Sequence, residues 1–331
     1  MWNFPVAPPK ASTYAAPHDY LFYAITALTV FFTVVVFAVV IFFAIKYREG
    51  SKASREGASD ENLRVEIMWS VPPLFLAFLI FAWSTKLYVD WRKPPDNAME
   101  VFVIGKQWMW HVQHANGVRE NNELHLPAGV PIRVTMISQD VIHAFYIPAF
   151  RSQYHVVPGR YTVQYFTPTT PGRYPLYCTM HCGTQHSEMG GYVTVLSKDE
   201  FAKWLERGGE EQATVTKTMA QRGAELFKDK NCGSCHGPAD TVQGPSLNGI
   251  YGTARKMTDG SAPIADQEYL REAIIDPYRR LNQGYRDTMP GDYRQVFTEE
   301  ELLDVIEYTK SPGATKTPEV QVATNSGASS R

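Results

Sequence analysis

Two uncharged runs stand out in the first quarter of the chain. Leu21 to Ile45 holds 25 residues without a charge, long enough to span a bilayer with some tilt. It lacks the basic start and short apolar core of a cleaved signal, so it predicts a membrane helix. A second uncharged run, Ile67 to Thr85, is interrupted by Pro72 and Pro73. Membrane helices tolerate such prolines when neighbours satisfy the freed carbonyls. Trp69, Trp83 and Tyr88 lie near its ends, as interface anchors do. The stretch between the runs carries Lys46, Arg48, Lys52, Arg55 and Arg64. Basic residues in short loops stay cytoplasmic, so the hairpin is expected to leave both chain ends outside. The expected divisions are an extracytoplasmic segment at 1–20, helices at 21–45 and 66–88, and a cytoplasmic loop at 46–65.

From about Met99 to Leu196 the period changes to two. Ile132, Val134 and Met136 alternate with Arg133, Thr135 and Ile137; Tyr161, Val163 and Tyr165 alternate with Thr162 and Gln164. With Pro and Gly punctuation this predicts an antiparallel β-sandwich over 98–197. Residues 198–214 are charged and lose the pattern; they read as a linker, helical around Phe201 to Leu205. An all-α domain is expected over 215–311. In it Met219-Ala220-x2-Gly223-Ala224-x2-Phe227 is amphipathic, with Gly223 placed to let another helix approach. Thr298-Glu299-Glu300-Glu301 has capping-box spacing and opens a last helix with Leu302, Val305 and Ile306 inward and Tyr308 near its end. Residues 312–331 are small and polar and cannot bury enough apolar surface to order.

Composition narrows the chemistry. A chain of 331 residues holds two or three domains. A net charge of −2 suggests no polyanion, hence no nucleic-acid partner. The four cysteines fall into two motifs, leaving none for structural disulfides. The first motif is Cys178-x3-Cys182-x3-His186-x2-Met189. Thiolate, imidazole and thioether together suit copper better than a hard cation. One copper needs only one thiolate, and two thiolates four apart in one loop can bridge two metals. A Cys2His2 zinc site and a Cys178–Cys182 disulfide are the competing explanations, and His181, between the cysteines, is a substitute ligand in another register.

The second motif is Cys232-Gly233-Ser234-Cys235-His236, a haem attachment signature. Its two thiols add to the vinyl groups of one haem c, and His236 falls under the iron as proximal ligand. A thioredoxin-like pair is disfavoured by the trailing His and the missing βαβ pattern. The sixth ligand is expected to be Met289, in Tyr285-Arg286-Asp287-Thr288-Met289-Pro290; Met257 lies close to the attachment helix and among charged residues. His18, His111, His114, His125 and His155 read as surface or structural.

His143, in Asp140-Val141-Ile142-His143-Ala144-Phe145, together with the cysteine loop, resembles the dinuclear CuA centre of cytochrome c oxidase subunit II. The resemblance implies a Greek-key copper-binding sandwich (cupredoxin). It implies Cys178 and Cys182 bridging both coppers, His143 and Met189 completing one, and His186 and the carbonyl of Met180 completing the other. The chain departs from the family at Met180, where the family has Glu. A carbonyl survives any substitution, so the copper ligand stands. The carboxylate that reaches a magnesium ion shared with subunit I is missing, which leaves magnesium open. Gly105-Lys106-Gln107-Trp108-Met109-Trp110-His111 resembles the family's Trp-x-Trp patch, implying that Trp108 receives electrons, while Trp110 reads equally as core. Glu66 reads first as an interfacial carboxylate; the resemblance adds the mouth of a proton path into subunit I. Met289-Pro290 resembles the Met-Pro of class I cytochromes c. Pro245 resembles the family proline whose carbonyl accepts from the proximal His.

The combination looks like subunit II of a caa-type haem–copper oxidase in the cell membrane, with cytochrome c fused behind the copper domain. That implies a relay from an external donor, such as a cytochrome c, through haem c to CuA and on to subunit I. Subunit I, with further membrane subunits as partners, would reduce oxygen to water and pump protons. The electron-input subunit of a CuA-type nitric oxide reductase is the nearest alternative. A membrane-anchored copper carrier or redox sensor is the alternative from another class. A quinol oxidase subunit is disfavoured because that class lacks these copper ligands.

Overall fold

The computed structural model describes residues 7–56, 61–208, 217–291 and 293–310. Residues 12–93 form one compact unit, and the rest of the described chain forms another.

The first unit is a helix pair, α1 (Ala15–Lys46) and α2 (Leu63–Arg92). Both are long and apolar enough to cross a membrane, by length and composition. Each extends past its uncharged run, because a helix continues into the headgroup region where charged side chains are solvated. Large apolar side chains are exposed along both helices, as lipid-facing surfaces require. Asn62 caps α2 by accepting from the Val65 N–H at 3.3 Å, and Glu66 reaches back to the Asn62 N–H at 3.4 Å. Glu66 is therefore exposed in the first turn and takes part in the cap.

The second unit begins with a sandwich of ten strands: β1 (Met99–Lys106), β2 (Met109–His114), β3 (Arg119–Asn121), β4 (Glu123–Pro127), β5 (Ile132–Ser138), β6 (His143–Ile147), β7 (Ser152–Val156), β8 (Thr162–Phe166), β9 (Gly172–Cys178) and β10 (Gly190–Leu196). One sheet runs β3-β2-β1-β5-β8 and the other β4-β10-β9-β6-β7. The expected antiparallel sandwich is in fact mixed: β1 pairs β5, and β4 pairs β10, in parallel. Alternation reports that a segment is a strand; it carries no information about the direction of a distant partner. In β8 the face is also reversed. Thr162, Gln164 and Phe166 are buried, while Val163 and Tyr165 are only partly so. Gln164 is accommodated inside because its side-chain amide donates to Ser152 Oγ. In β5 both faces are buried, including Thr135 at 1% and Ile137 at 0% exposure, because helices cover the outer side.

The helix expected around Phe201 to Leu205 in the linker region is present and longer. Lys198–Glu206 forms α3, with a capping box between Ser197 and Glu200. Its Phe201 and Trp204 pack with Val118 of the sandwich. Trp204 stacks on His125 at 4.6 Å between ring centres. Beneath it the buried carboxylate of Glu120 accepts from His114 Nε2 at 2.8 Å and from His125 Nδ1. Burial would raise the Glu120 carboxyl, but these two hydrogen bonds outweigh it and hold the group at about 2, from an ordinary 4.5.

The remaining helices are α4 (Met219–Asp229), α5 (Gln267–Ile275), α6 (Tyr293–Val296) and α7 (Glu299–Lys310). Thr298 and Glu301 cap α7 reciprocally. α4 crosses α7 at Gly223, where a Cβ would lie 2.0 Å from the Asp304 carbonyl oxygen; only glycine fits there. Met219 and Leu303 lie on Phe102, Ile104 and Ile137, which is what covers the outer face of β1 and β5. Residues 209–214 of the expected linker, the first two residues of the expected helical domain (215–216), and the expected tail, 312–331, lie outside the described residues.

The Glu120 cluster makes a pH prediction. A carboxyl lowered from 4.5 to about 2 contributes stability above pH 4.5 and loses it as pH falls through 2. Glu120→Gln should cost on the order of 3 kcal/mol at neutral pH. In denaturant titrations the gap from wild type should stay level down to pH 4.5 and close below it. A gap that widens on acidification would refute the assignment.

Candidate metal centre and cofactor cleft

The cysteine loop is held shut at its base. β9 and β10 pair Tyr177 with Gly190, and the Cys178 N–H donates to the Met189 carbonyl at 3.0 Å. β6 lies beside β9, with Phe145 opposite Cys178. This pairing brings His143, the first residue of β6, alongside the loop. His143 Nδ1 lies 4.0 Å from Cys178 Sγ, and Cys178 Sγ lies 3.9 Å from Cys182 Sγ. Cys182 Sγ is 3.4 Å from His186 Nδ1 and 3.7 Å from Met189 Sδ. The Met180 carbonyl oxygen is 3.2 Å from Cys178 Sγ. Four donor atoms thus surround two buried, unbridged cysteines, six donors in all with the two sulfurs. His181 is exposed, its ring 5.5 Å from that of His186.

The donor set fits a metal on its own chemistry. Burial disfavours ionisation of Cys178, but hydrogen bonding to His143 and to backbone at Ala144 and Met180 outweighs it and lowers that thiol. Cys182 is pushed up to about 12, first by burial and then by the neighbouring Cys178 charge. The pair therefore gives up one proton and resists the second, and a bound cation supplies the charge that releases both.

Several supporting residues carry no recognisable sequence signal. Asp140 accepts from His143 Nε2–H at 2.7 Å, which leaves Nδ1 with its lone pair turned toward the thiols. Asp140 is itself held by the Gln107 N–H at 2.7 Å. Burial opposes its ionisation, and these donors outweigh that and lower its carboxyl. Gln107 Nε2 donates to the Cys182 carbonyl at 2.6 Å. The His143 ring rests on Gly105, where a Cβ would come within 3.0 Å of it. Each of these contacts joins segments more than 30 positions apart, except Asp140–His143, where the three-residue spacing was visible but meaningless without the fold. Trp108 is part-exposed, its ring beside Gly183 of the loop. Trp110 is fully buried and meets His143 edge-on at 5.9 Å.

The second motif lines a cleft of about 350 Å³ in the helical part. Cys232, Cys235, His236, Pro245 and Met289 all border it. His236 Nδ1 donates to the Pro245 carbonyl at 2.8 Å. Met257 is instead 3% exposed in the core formed with Ile250, Tyr269 and Leu302, and is not among the lining residues. The wall is mostly apolar, with Phe227, Leu270 and Val305, which suits the faces of a porphyrin.

Comparison with known proteins points the same way along most of the chain. Family profiles match for the transmembrane domain of cytochrome c oxidase subunit II over residues 2–87, its periplasmic domain over 114–196, and cytochrome c over 220–311. Cytochrome c oxidase subunit 2 of Alkalihalophilus pseudofirmus is 28% identical over 295 residues, covering 84% of this chain and 82% of the relative. Heme-copper oxidase subunit 2 of Aeropyrum pernix is 31% identical over 199 residues, covering 55% of this chain and 85% of the relative.

The hydrogen bond from His143 to Asp140 is open to direct test. Asp140→Ala should lower copper affinity about 10- to 100-fold, the usual cost of losing a group that orients a ligand. A copper competition titration reads it, and an unchanged affinity would show that packing on Gly105 alone orients the ring.

Proposed function

The chain belongs to the cytochrome c oxidase subunit II family and carries a cytochrome c domain behind its copper domain, and from that premise we propose that it is the electron-input subunit of a respiratory haem–copper oxidase. It relays electrons from an external donor through covalent haem c to a dinuclear copper centre, and from there to subunit I, which reduces oxygen and pumps protons. The observation that carries this reading is the convergence of four donor atoms on two free thiols, in the same compact unit as the haem-attachment cleft. A tetrahedral zinc takes four ligands, so two nitrogens, a thioether and a carbonyl around two thiolates exceed what one such ion uses.

When bound, the copper pair would hold one electron shared over two metals, and the haem would hold one at iron. The chain's residues supply the rest. Cys178 and Cys182 would hold both coppers, with His143 and Met189 serving one and His186 and the Met180 carbonyl the other. Met180 offers no carboxylate, so no magnesium contact is assigned to it. Asp140 and Gly105 fix the His143 ring, and the buried Trp110 and Phe145 keep its surroundings dry. Trp108, part-exposed beside the loop, or a direct edge would carry the electron from the haem to the copper pair. Cys232 and Cys235 would attach the haem and His236 and Met289 would ligate it, while the Pro245 carbonyl fixes the His236 ring. The two apolar helices anchor the chain in the cell membrane with both ends and both cofactor domains outside. Glu66, in the first turn of α2, stands at the inner surface at the mouth of a proton path.

The purified complex should contain two coppers and one covalent haem per chain, with a near-infrared mixed-valence band. Cys182→Ser should abolish that band and leave the haem attached. A retained band would overturn the bridging assignment. Met289→Ala should leave the haem covalently bound and lower its potential by a fraction of the roughly 0.8 V that axial ligands span. A redox titration reading the wild-type potential would show that Met289 is not the sixth ligand.

A further inference from the structure

The outer face of β1 and β5 is the seat of the helical domain. Phe102, Ile104 and Ile137 are 0–1% exposed under Met219 and Leu303. Tyr161 packs against both this cluster and the core of the helical domain.

A charge cluster lies at each side of that apolar strip. On one side Glu100 of β1 accepts from Lys310 Nζ of α7 at 2.8 Å and from Gln267 Nε2 of α5 at 2.9 Å. Thr135 and Arg133 of its own sheet complete its shell. On the other side Asp304 of α7, 2% exposed, accepts from Gln113 Nε2 of β2 at 2.9 Å and from Arg222 of α4 at 2.8 Å. Backbone seams add to both. The Tyr161 N–H donates to Glu268 at 2.7 Å, and the Met219 N–H to the Ala115 carbonyl at 3.4 Å.

Domains within one chain move relative to each other unless the interface is large and apolar. Here the strip is dry, and separation would take Lys310 and Gln267 from Glu100 and leave Lys310 only Glu307 of its own helix, which is costly for buried ions. The geometry also makes a fixed seat useful. Val305 and Thr309 of α7 line the cofactor cleft, while Leu303 and Lys310 of the same helix face the copper domain. Ile104 of β1 faces α7, and the next residue, Gly105, carries the His143 ring. One helix and one strand stand between the two candidate redox sites. The residues lining the cleft all belong to the helical domain, so docking leaves its mouth to an outside donor.

We propose that Glu100 and Asp304 are positioning residues that clamp the helical domain in one fixed seat on the copper domain, so that packing, not the search of a tethered domain, sets the separation of the two redox sites. The clamp deepens the electron-relay reading and rests on it for the identity of those sites. The transfer it serves moves one electron and makes or breaks no bond, so distance and packing are what the protein controls.

The seating is measurable without reference to the cofactors. The Tyr161 and Met219 amides hydrogen-bond across the seam, so their hydrogen exchange reports undocking. In the purified complex both should be strongly protected. Glu100→Gln with Asp304→Asn should speed their exchange about tenfold or more, tenfold corresponding to 1.4 kcal/mol of lost seating. Lys310→Met, which removes the cross-domain partner of Glu100 along with the Glu307 pair of its own helix, should do the same at Tyr161. In wild type, electron redistribution after photoreduction of the haem should be independent of viscosity and salt. In the double variant it should slow and become viscosity-dependent, with optical spectra and potentials unchanged. Fast exchange of both amides in wild type, a viscosity-dependent wild-type rate, or a double variant unchanged in exchange would overturn the clamp. Protected amides with no haem-to-copper transfer would instead sink the relay and leave the clamp standing.

Discussion

Two buried thiol groups 3.9 Å apart in an otherwise mostly exposed loop are the constraint around which this protein is arranged. Neither desolvation nor repulsion lets both ionise alone, and the site is completed by a cation that shares their charge. Everything nearby serves to hold that arrangement in advance of the metal. The loop is closed by the β9–β10 ladder, His143 is delivered by the adjacent β6, and Asp140 turns the ring. Ligands from distant parts of the chain keep fixed positions only because sheet pairings, not loops, set their separation.

The same sheet logic extends outward. β1 has its Gly105 beneath the His143 ring and its Phe102 and Ile104 beneath the helical domain. A strand with one face on the metal side and another under a second domain couples the two mechanically. This explains why β5 is buried on both faces, and why polar residues such as Thr135 and Glu100 lie where an isolated sandwich would meet water. They are satisfied by Gln267 and Lys310 from helices that come more than 130 residues later.

α3 shows a related principle. Its charged, short sequence looks like a connection, yet Phe201 and Trp204 cover the buried His114–Glu120–His125 group. A buried ionised carboxylate survives because two donors meet it and aromatic rings exclude water from it. Charge density along a segment describes its exposed side and is silent about the one or two residues that dock.

The chain by itself determined the local features: two uncharged runs of membrane length, a period-two region, the capping box at Thr298, the close approach permitted at Gly223, and two cysteine motifs whose spacing restricts their chemistry. These are legible because each depends on neighbours within a few positions, where backbone geometry converts spacing directly into a shared face or a shared ligand. Only the tertiary structure decided the parallel pairings of β1 with β5 and β4 with β10, the inward face of β8, the roles of Asp140, Gln107 and Gly105 around His143, and the seat of the helical domain on β1. Those depend on which distant segments meet, and a hydrogen bond or an excluded volume between residues 30 to 200 positions apart leaves no periodic trace in either segment.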